Sequence, residues 1–190
     1  MDRHTLALIP LCAALTAAGA LIRIPLWPVA ITLQTFFVIL SGIILGPRHG
    51  ALSQLVYLII GLLGLPVFSS GGGISYFMQP SFGYLLGFVL APLAVGSIVR
   101  NKVLSHKIVF IAAIAGTLVI YSIGIPYLAA YMYLVLKKPD AISLAIKTGA
   151  LVFLPGDLIK CIILAMIIPR LRLRSSASEA AAATKTDNHR

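Results

Sequence analysis

The chain has 190 residues, of which 59% are hydrophobic and 11% charged, with a mean hydropathy of +1.02. A soluble domain holds about 25% charged residues, so this sequence cannot cover itself with polar surface and reads as an all-α, polytopic membrane protein. A formal net charge of +10 would suggest a nucleic-acid partner in a soluble chain, but here the cations flank apolar runs, which is a signal of membrane topology.

A helix needs about 20 residues to cross hydrocarbon, and six spans are predicted: 5–25, 29–46, 50–65, 82–99, 108–136 and 149–168. The first contains "CAALTAAGA", where Ala13, Ala14, Ala17, Ala18 and Gly19 recur at spacings of three and four. Such small-residue faces let helix backbones approach closely, either within the chain or against another membrane subunit. The third span is short and ends at Pro66. Between spans three and four lies "GLPVFSSGGGISYFMQPSFGYLLGF". Its glycines form no phosphate-binding loop, since no Gly-Lys-Ser/Thr follows, and its flanks are too apolar for a solvated linker. A loop folded over a pocket is expected, with Gly71, Gly72 and Gly73 permitting close backbone approach. The fifth span is too long for one straight crossing and carries Gly124 and Pro126, so a kink, or an exit from the membrane before Tyr131, is expected.

The sixth span, "LVFLPGDLIKCIILAM", holds an acid, Asp157, followed three residues later by Lys160. Residues at i and i+3 share a helix face, and ionisable groups at membrane depth are costly enough to read as functional by default. Pro155–Gly156 just before the pair points to a break or a fresh helix start, with free backbone N–H groups nearby. A carboxylate beside an ammonium suits a small ligand carrying N–H donors and a carbonyl or carboxylate; a neutral pair that only pins packing is the plainer alternative. Cys12 and Cys161 lie in apolar runs, and the four histidines are scattered, so neither a metal nor a redox site is predicted. No nucleophile or second in-span acid accompanies the pair, which argues against an intramembrane enzyme using it as acid and base. Residues 175–190 are polar, alanine-rich and without an apolar face, which predicts a disordered tail after a membrane domain spanning 1–174.

Lys and Arg in short loops favour the cytoplasm. With six spans, Arg3, Arg48, Arg100, Lys102, Lys107, Arg170, Arg172 and Arg174 fall on one side and Arg23, Lys137, Lys138 and Lys147 on the other. Both termini are therefore expected in the cytoplasm, with the glycine loop facing outward.

Four stretches in order, "ITLQTFFVILSGIILGPRHGALSQLVYLIIGLLGLPVF", the glycine loop, "QPSFGYLLGF" and "FLPGDLIK", resemble the BioY family, the biotin-binding S-components of energy-coupling factor (ECF) transporters. The resemblance covers about residues 5–170. It implies a six-helix S-component fold in the cell membrane, with biotin held near the outer face under the loop joining helices one and two and the glycine-rich region. It implies no catalytic residues and no cofactor; ATP would be hydrolysed by two separate cytoplasmic ATPases. Asp157 and Lys160 stand where the family's polar ligand contacts stand, with Gln34, Gly71, Gly72, Gly73 and Tyr84 as further candidates. A transmembrane coupling protein would meet helix one through its small face, either Ala14 and Ala18 or Ala13 and Ala17. The run Pro80-Ser81-Phe82-Gly83-Tyr84 departs from the family's usual Pro-Thr/Ser-Gly-Gly-Tyr, and the glycine loop is a residue shorter. An S-component for a different vitamin is the nearest alternative.

Overall fold

The computed structural model describes residues 3–187, with side chains from residue 5 to residue 170. Among the described residues its regular structure is helical apart from one short two-stranded ribbon. In chain order come α1 (Arg3–Leu21), β1 (Arg23–Ile24), β2 (Ile31–Thr32), α2 (Gln34–Leu62), a 3-10 turn (Ile74–Met78), α3 (Phe82–Val99), α4 (His106–Leu134), α5 (Ala141–Ile146), a wide π turn (Lys147–Leu151) and α6 (Leu154–Asp187). Four helical stretches are long and apolar enough to cross a membrane: Gln34–Leu62, Phe82–Val99, His106–Leu134 and Ala141–Arg170. A shorter apolar helix covers Thr5–Leu21.

The 29 residues of α2 are not one straight rod. Gly46 adopts φ 74°, ψ −175° inside them, and Pro47 follows; only glycine takes that conformation without strain. The chain doubles back there. Gln34 Nε2 donates to Tyr57 Oη at 2.6 Å and Gln54 Nε2 to Ser41 Oγ at 3.3 Å, whereas residues 23 apart in a continuous helix would lie about 35 Å apart. The two halves form an antiparallel helical hairpin, matching the second and third predicted spans. The hairpin packs on α3, α3 on α4, and α1 on the hairpin.

Several boundaries differ from the sequence reading. Helix α1 stops at Leu21, not at residue 25, because Ile24 precedes Pro25 and is biased away from the helical region. Residues 29–33 lie outside the helix, with Ile31 and Thr32 in β2; Val29, Ile31 and Thr32 are β-branched, and the Trp27–Pro28 bond is cis. Helix α4, by contrast, covers His106–Leu134 with Gly124 and Pro126 inside it, close to the predicted 108–136. At the far end the backbone of α6 runs to Asp187, and residues 188–190, the end of the tail predicted over 175–190, lie outside the described residues.

Two polar features hold the bundle. Thr16, Ser41 and Ser53 are fully buried at the junction of α1 and the hairpin, each hydroxyl donating to a carbonyl of its own helix. Gln54 Nε2 lies 3.1–3.3 Å from all three oxygens and ties the helices together. At the opposite end of α4, His106 Nδ1 donates to Ala165 O at 2.7 Å. That carbonyl lacks its helical partner because residue 169 is proline and has no N–H, so the imidazole completes α6 from outside.

Candidate ligand-binding site

Asp157 sits in the first turn of α6, just after Pro155–Gly156, where proline is preorganised for a helix start. One turn later Lys160 Nζ lies 2.7 Å from Asp157 Oδ1. The two residues are only 5% and 9% exposed, so their charges are removed from solvent. Their partners come from the segment that opens α2: Lys160 also donates to Thr32 O at 2.6 Å and Thr35 Oγ1 at 2.9 Å. Thr35 Oγ1 in turn donates to Asp157 Oδ1 at 3.0 Å. From α4, Tyr121 Oη donates to Asp157 Oδ2 at 2.6 Å.

The donor and acceptor inventory is asymmetric. An ammonium has three protons, and Lys160 has placed all three. A carboxylate has about four acceptor sites, of which Asp157 has filled two on Oδ1 and one on Oδ2. The site is thus neutral overall, with spare acceptor capacity on Oδ2.

These residues line a cavity that is partly open to the outside. Its apolar walls include Val29, Leu85, Phe88 and Phe153. A second polar group on the wall comes from the loop between the hairpin and α3: Tyr76 Oη is 3.3 Å from Ser69 Oγ and 3.1 Å from Ser81 Oγ. The combination accepts N–H donors at the carboxylate, offers hydroxyls to a second polar group, and encloses an apolar or aromatic body between.

Of the residues singled out from sequence, Asp157, Lys160, Gln34 and Tyr84 line this one cavity. Gln34 is held by Thr32 Oγ1, which donates to its Oε1 at 3.0 Å, and by Tyr57. Tyr84 donates to Gly149 O at 2.8 Å, bracing the π turn before α6. Gly71, Gly72 and Gly73 are not among the lining residues. Gly71 and Gly73 have positive φ, Gly71 pairs with Phe68, and Gly73 N–H donates to Gly61 O at 2.8 Å. A side chain on Gly72 would run into the carbonyl of Leu65. The glycines therefore clamp the loop on the end of the hairpin, and the adjacent Ser69 and Tyr76 reach the cavity. On α1, Ala14 and Ala18 face outward, Ala13 is buried in the core and Ala17 packs against it.

Thr32, Thr35, Tyr121, Ser69, Tyr76 and Ser81 escaped the sequence reading. The available signal was a hydroxyl in an otherwise apolar span, since a buried Tyr O–H needs a partner; Tyr121 in "LVIYSIG" fits that rule.

The sequence profile of the BioY family matches residues 1–177. The chain belongs to the BioY family. It is 44% identical over 168 residues to a probable biotin transporter BioY of Lysinibacillus sphaericus, covering 88% of this chain and 86% of that one. It is 38% identical over 160 residues to the biotin transporter BioY of Thermotoga maritima, covering 84% and 90%. Its fold matches the crystal structure of the S-component for biotin from an ECF-type ABC transporter, with TM-score 0.73, 27% identity, and 90% and 94% of the two chains covered.

Proposed function

We propose that this BioY-family chain is the membrane-embedded biotin-binding S-component of an ECF-type transporter. The observation that carries the reading is the buried Asp157–Lys160 pair on the cavity wall, with an acceptor site of Asp157 Oδ2 left open. Biotin's ureido ring supplies two N–H donors and a carbonyl. Its bicyclic body suits the wall of Val29, Leu85, Phe88 and Phe153, and its valerate carboxylate can take hydroxyls such as those of Ser69, Tyr76 and Ser81. The first ureido contact falls to Asp157, because Lys160 must release Thr32, Thr35 or Asp157 before it can donate to a ligand.

The hairpin geometry supports six crossings: α1, the two halves of α2, α3, α4 and α6. With that count, the excess of Lys and Arg puts both termini in the cytoplasm of a multi-pass cell-membrane protein, and the cavity opens outward. The chain performs no chemistry in this reading. Energy comes from two cytoplasmic ATPases through a transmembrane coupling protein, which docks on the outward face of α1 at Ala14 and Ala18.

A thermal-shift panel of vitamins on the purified protein tests the substrate. A ligand bound only by the folded state raises its stability, so equimolar biotin is expected to raise the melting temperature while other vitamins leave it unmoved. A shift with another vitamin and none with biotin reassigns the substrate; no shift with any overturns the reading.

A further inference from the structure

The ribbon between α1 and α2 has two unlike halves. In its first half Leu21, Ile22, Arg23, Ile24, Leu26 and Trp27 are all exposed, Leu21 at 74% and Trp27 at 69%. In its second half Pro28 and Val29 are buried, and Val29, Ala30 and Thr32 line the cavity. The halves are joined by antiparallel pairing of Arg23 with Thr32 and Ile24 with Ile31, so one ribbon carries a ligand-facing wall and a contiguous apolar outer surface. A patch of that kind marks an interaction surface.

The position of the ribbon says what covers it. Helix α1 has 19 residues, and at 1.5 Å per residue it is about 28 Å long, close to the ~30 Å of a hydrocarbon core. With α1 counted as a crossing, as in the function proposed above, the ribbon begins where the hydrocarbon ends, in direct continuation of that helix. Its side chains match that depth. Tryptophan concentrates at the membrane–water interface, Leu21, Ile22, Ile24 and Leu26 belong on the acyl side, and the Arg23 guanidinium suits lipid phosphates.

We propose that Leu21–Trp27 form an interfacial lipid anchor, seated in the headgroup layer of the leaflet at the cavity end of the bundle, so that the bilayer holds this wall of the cavity in place. The inference does not depend on which ligand the cavity takes.

Trp27 is the sole tryptophan of the chain, which makes the anchor directly readable by fluorescence. The full chain is placed in nanodiscs of phosphatidylcholine and phosphatidylglycerol, made with lipids brominated either just below the headgroup or near the bilayer centre, and titrated with aqueous iodide. Strongest quenching by the shallow bromolipid, a blue-shifted emission and weak quenching by iodide are expected. Strong iodide quenching without bromolipid quenching would overturn the proposal, leaving the patch in water and free for a protein partner. Strongest quenching by the deep bromolipid would overturn it too, by placing the ribbon in the hydrocarbon. The Ile24→Asp, Leu26→Asp double variant is expected to shift emission to the red and lose the shallow quenching; the unmodified chain alone decides the matter if that variant does not fold.

Discussion

Replacing Asp157 by asparagine removes the charge while keeping the shape of the side chain, so its effects on ligand binding and on stability can be measured side by side. With the amide oxygen in the place of Oδ1, Lys160 and Thr35 keep their acceptor at 2.7 and 3.0 Å. The amide nitrogen then takes the place of Oδ2, and the Tyr121 hydroxyl, 2.6 Å away, turns to accept from it. Nothing in the network repairs the open acceptor site, which is now a donor facing a ligand N–H. A hydrogen bond to a charged group contributes about 1.5–3 kcal/mol, and at about 1.4 kcal/mol per tenfold the dissociation constant for biotin should rise by roughly 10- to 150-fold. Stability should fall as well, since Lys160 keeps a buried charge without its counter-charge, a loss of about 3–5 kcal/mol in comparable sites. Adding Lys160→Met removes the second charge and should restore much of the stability while leaving affinity low. Calorimetric titration and thermal melts of the single and double variants in detergent measure both quantities. A single variant that stays folded and binds biotin with unchanged affinity would refute the reasoning and return the pair to a packing role.

Tyr121→Phe removes one donor from Asp157 without touching its charge; affinity should fall by about 1 kcal/mol, roughly fivefold, in the same titration. Ala14→Leu or Ala18→Leu adds bulk to the outward face of α1 and should leave biotin binding intact while reducing uptake and co-purification with the coupling protein, because close backbone approach is blocked; joint loss of binding and uptake would make that face internal. His106→Ala leaves Ala165 O without a donor and should cost about 1 kcal/mol of stability with no change in affinity, whereas His106→Asn, which keeps a donor, should recover part of it in thermal melts.

The legible parts of this protein were those dictated by desolvation. Asp157 and Lys160 stood out because a charge at membrane depth needs a reason, and Pro155 announced the helix that presents them. Helical spans were readable from apolar length, and Gly46–Pro47 was visible as a short polar gap between the second and third. What stayed hidden depends on tertiary proximity. Thr35 stands next to Gln34 in the sequence, yet nothing local says that its hydroxyl meets α6 122 positions later. The glycines were read as pocket wall because close approach was the expectation; close approach is what they provide, but to the hairpin end and not to the cavity. Residues 23–25 and 29–32 read as helix ends in the sequence, since short extended pairs carry too few residues for an alternating pattern.

The first helix meets the segment that lines the cavity near its own C-terminal end. Leu33 N–H lies 3.1 Å from both Gly19 O and Ile22 O, and Leu33 stands between Thr32, whose carbonyl receives Lys160, and Gln34, which reaches Tyr57. The approach depends on Gly19: a Cβ there would sit 2.8 Å from the Phe37 ring and 3.1 Å from Gln34 N and Leu33 C, well inside van der Waals contact. Gly19→Val should therefore push α1 off residues 32–34, move the acceptor of Lys160, and weaken biotin binding along with lowering the melting temperature. The overpacking cost is about 1–3 kcal/mol. The comparison with Ala14→Leu is decisive, since both substitutions enlarge α1 by a branched side chain at nearby positions. Inner bulk should damage affinity and outer bulk should not. A folded Gly19→Val protein that binds biotin as tightly as the parent would show that Thr32–Gln34 hold their place without α1, and that a displacement of this helix by a partner has no short route to the ligand.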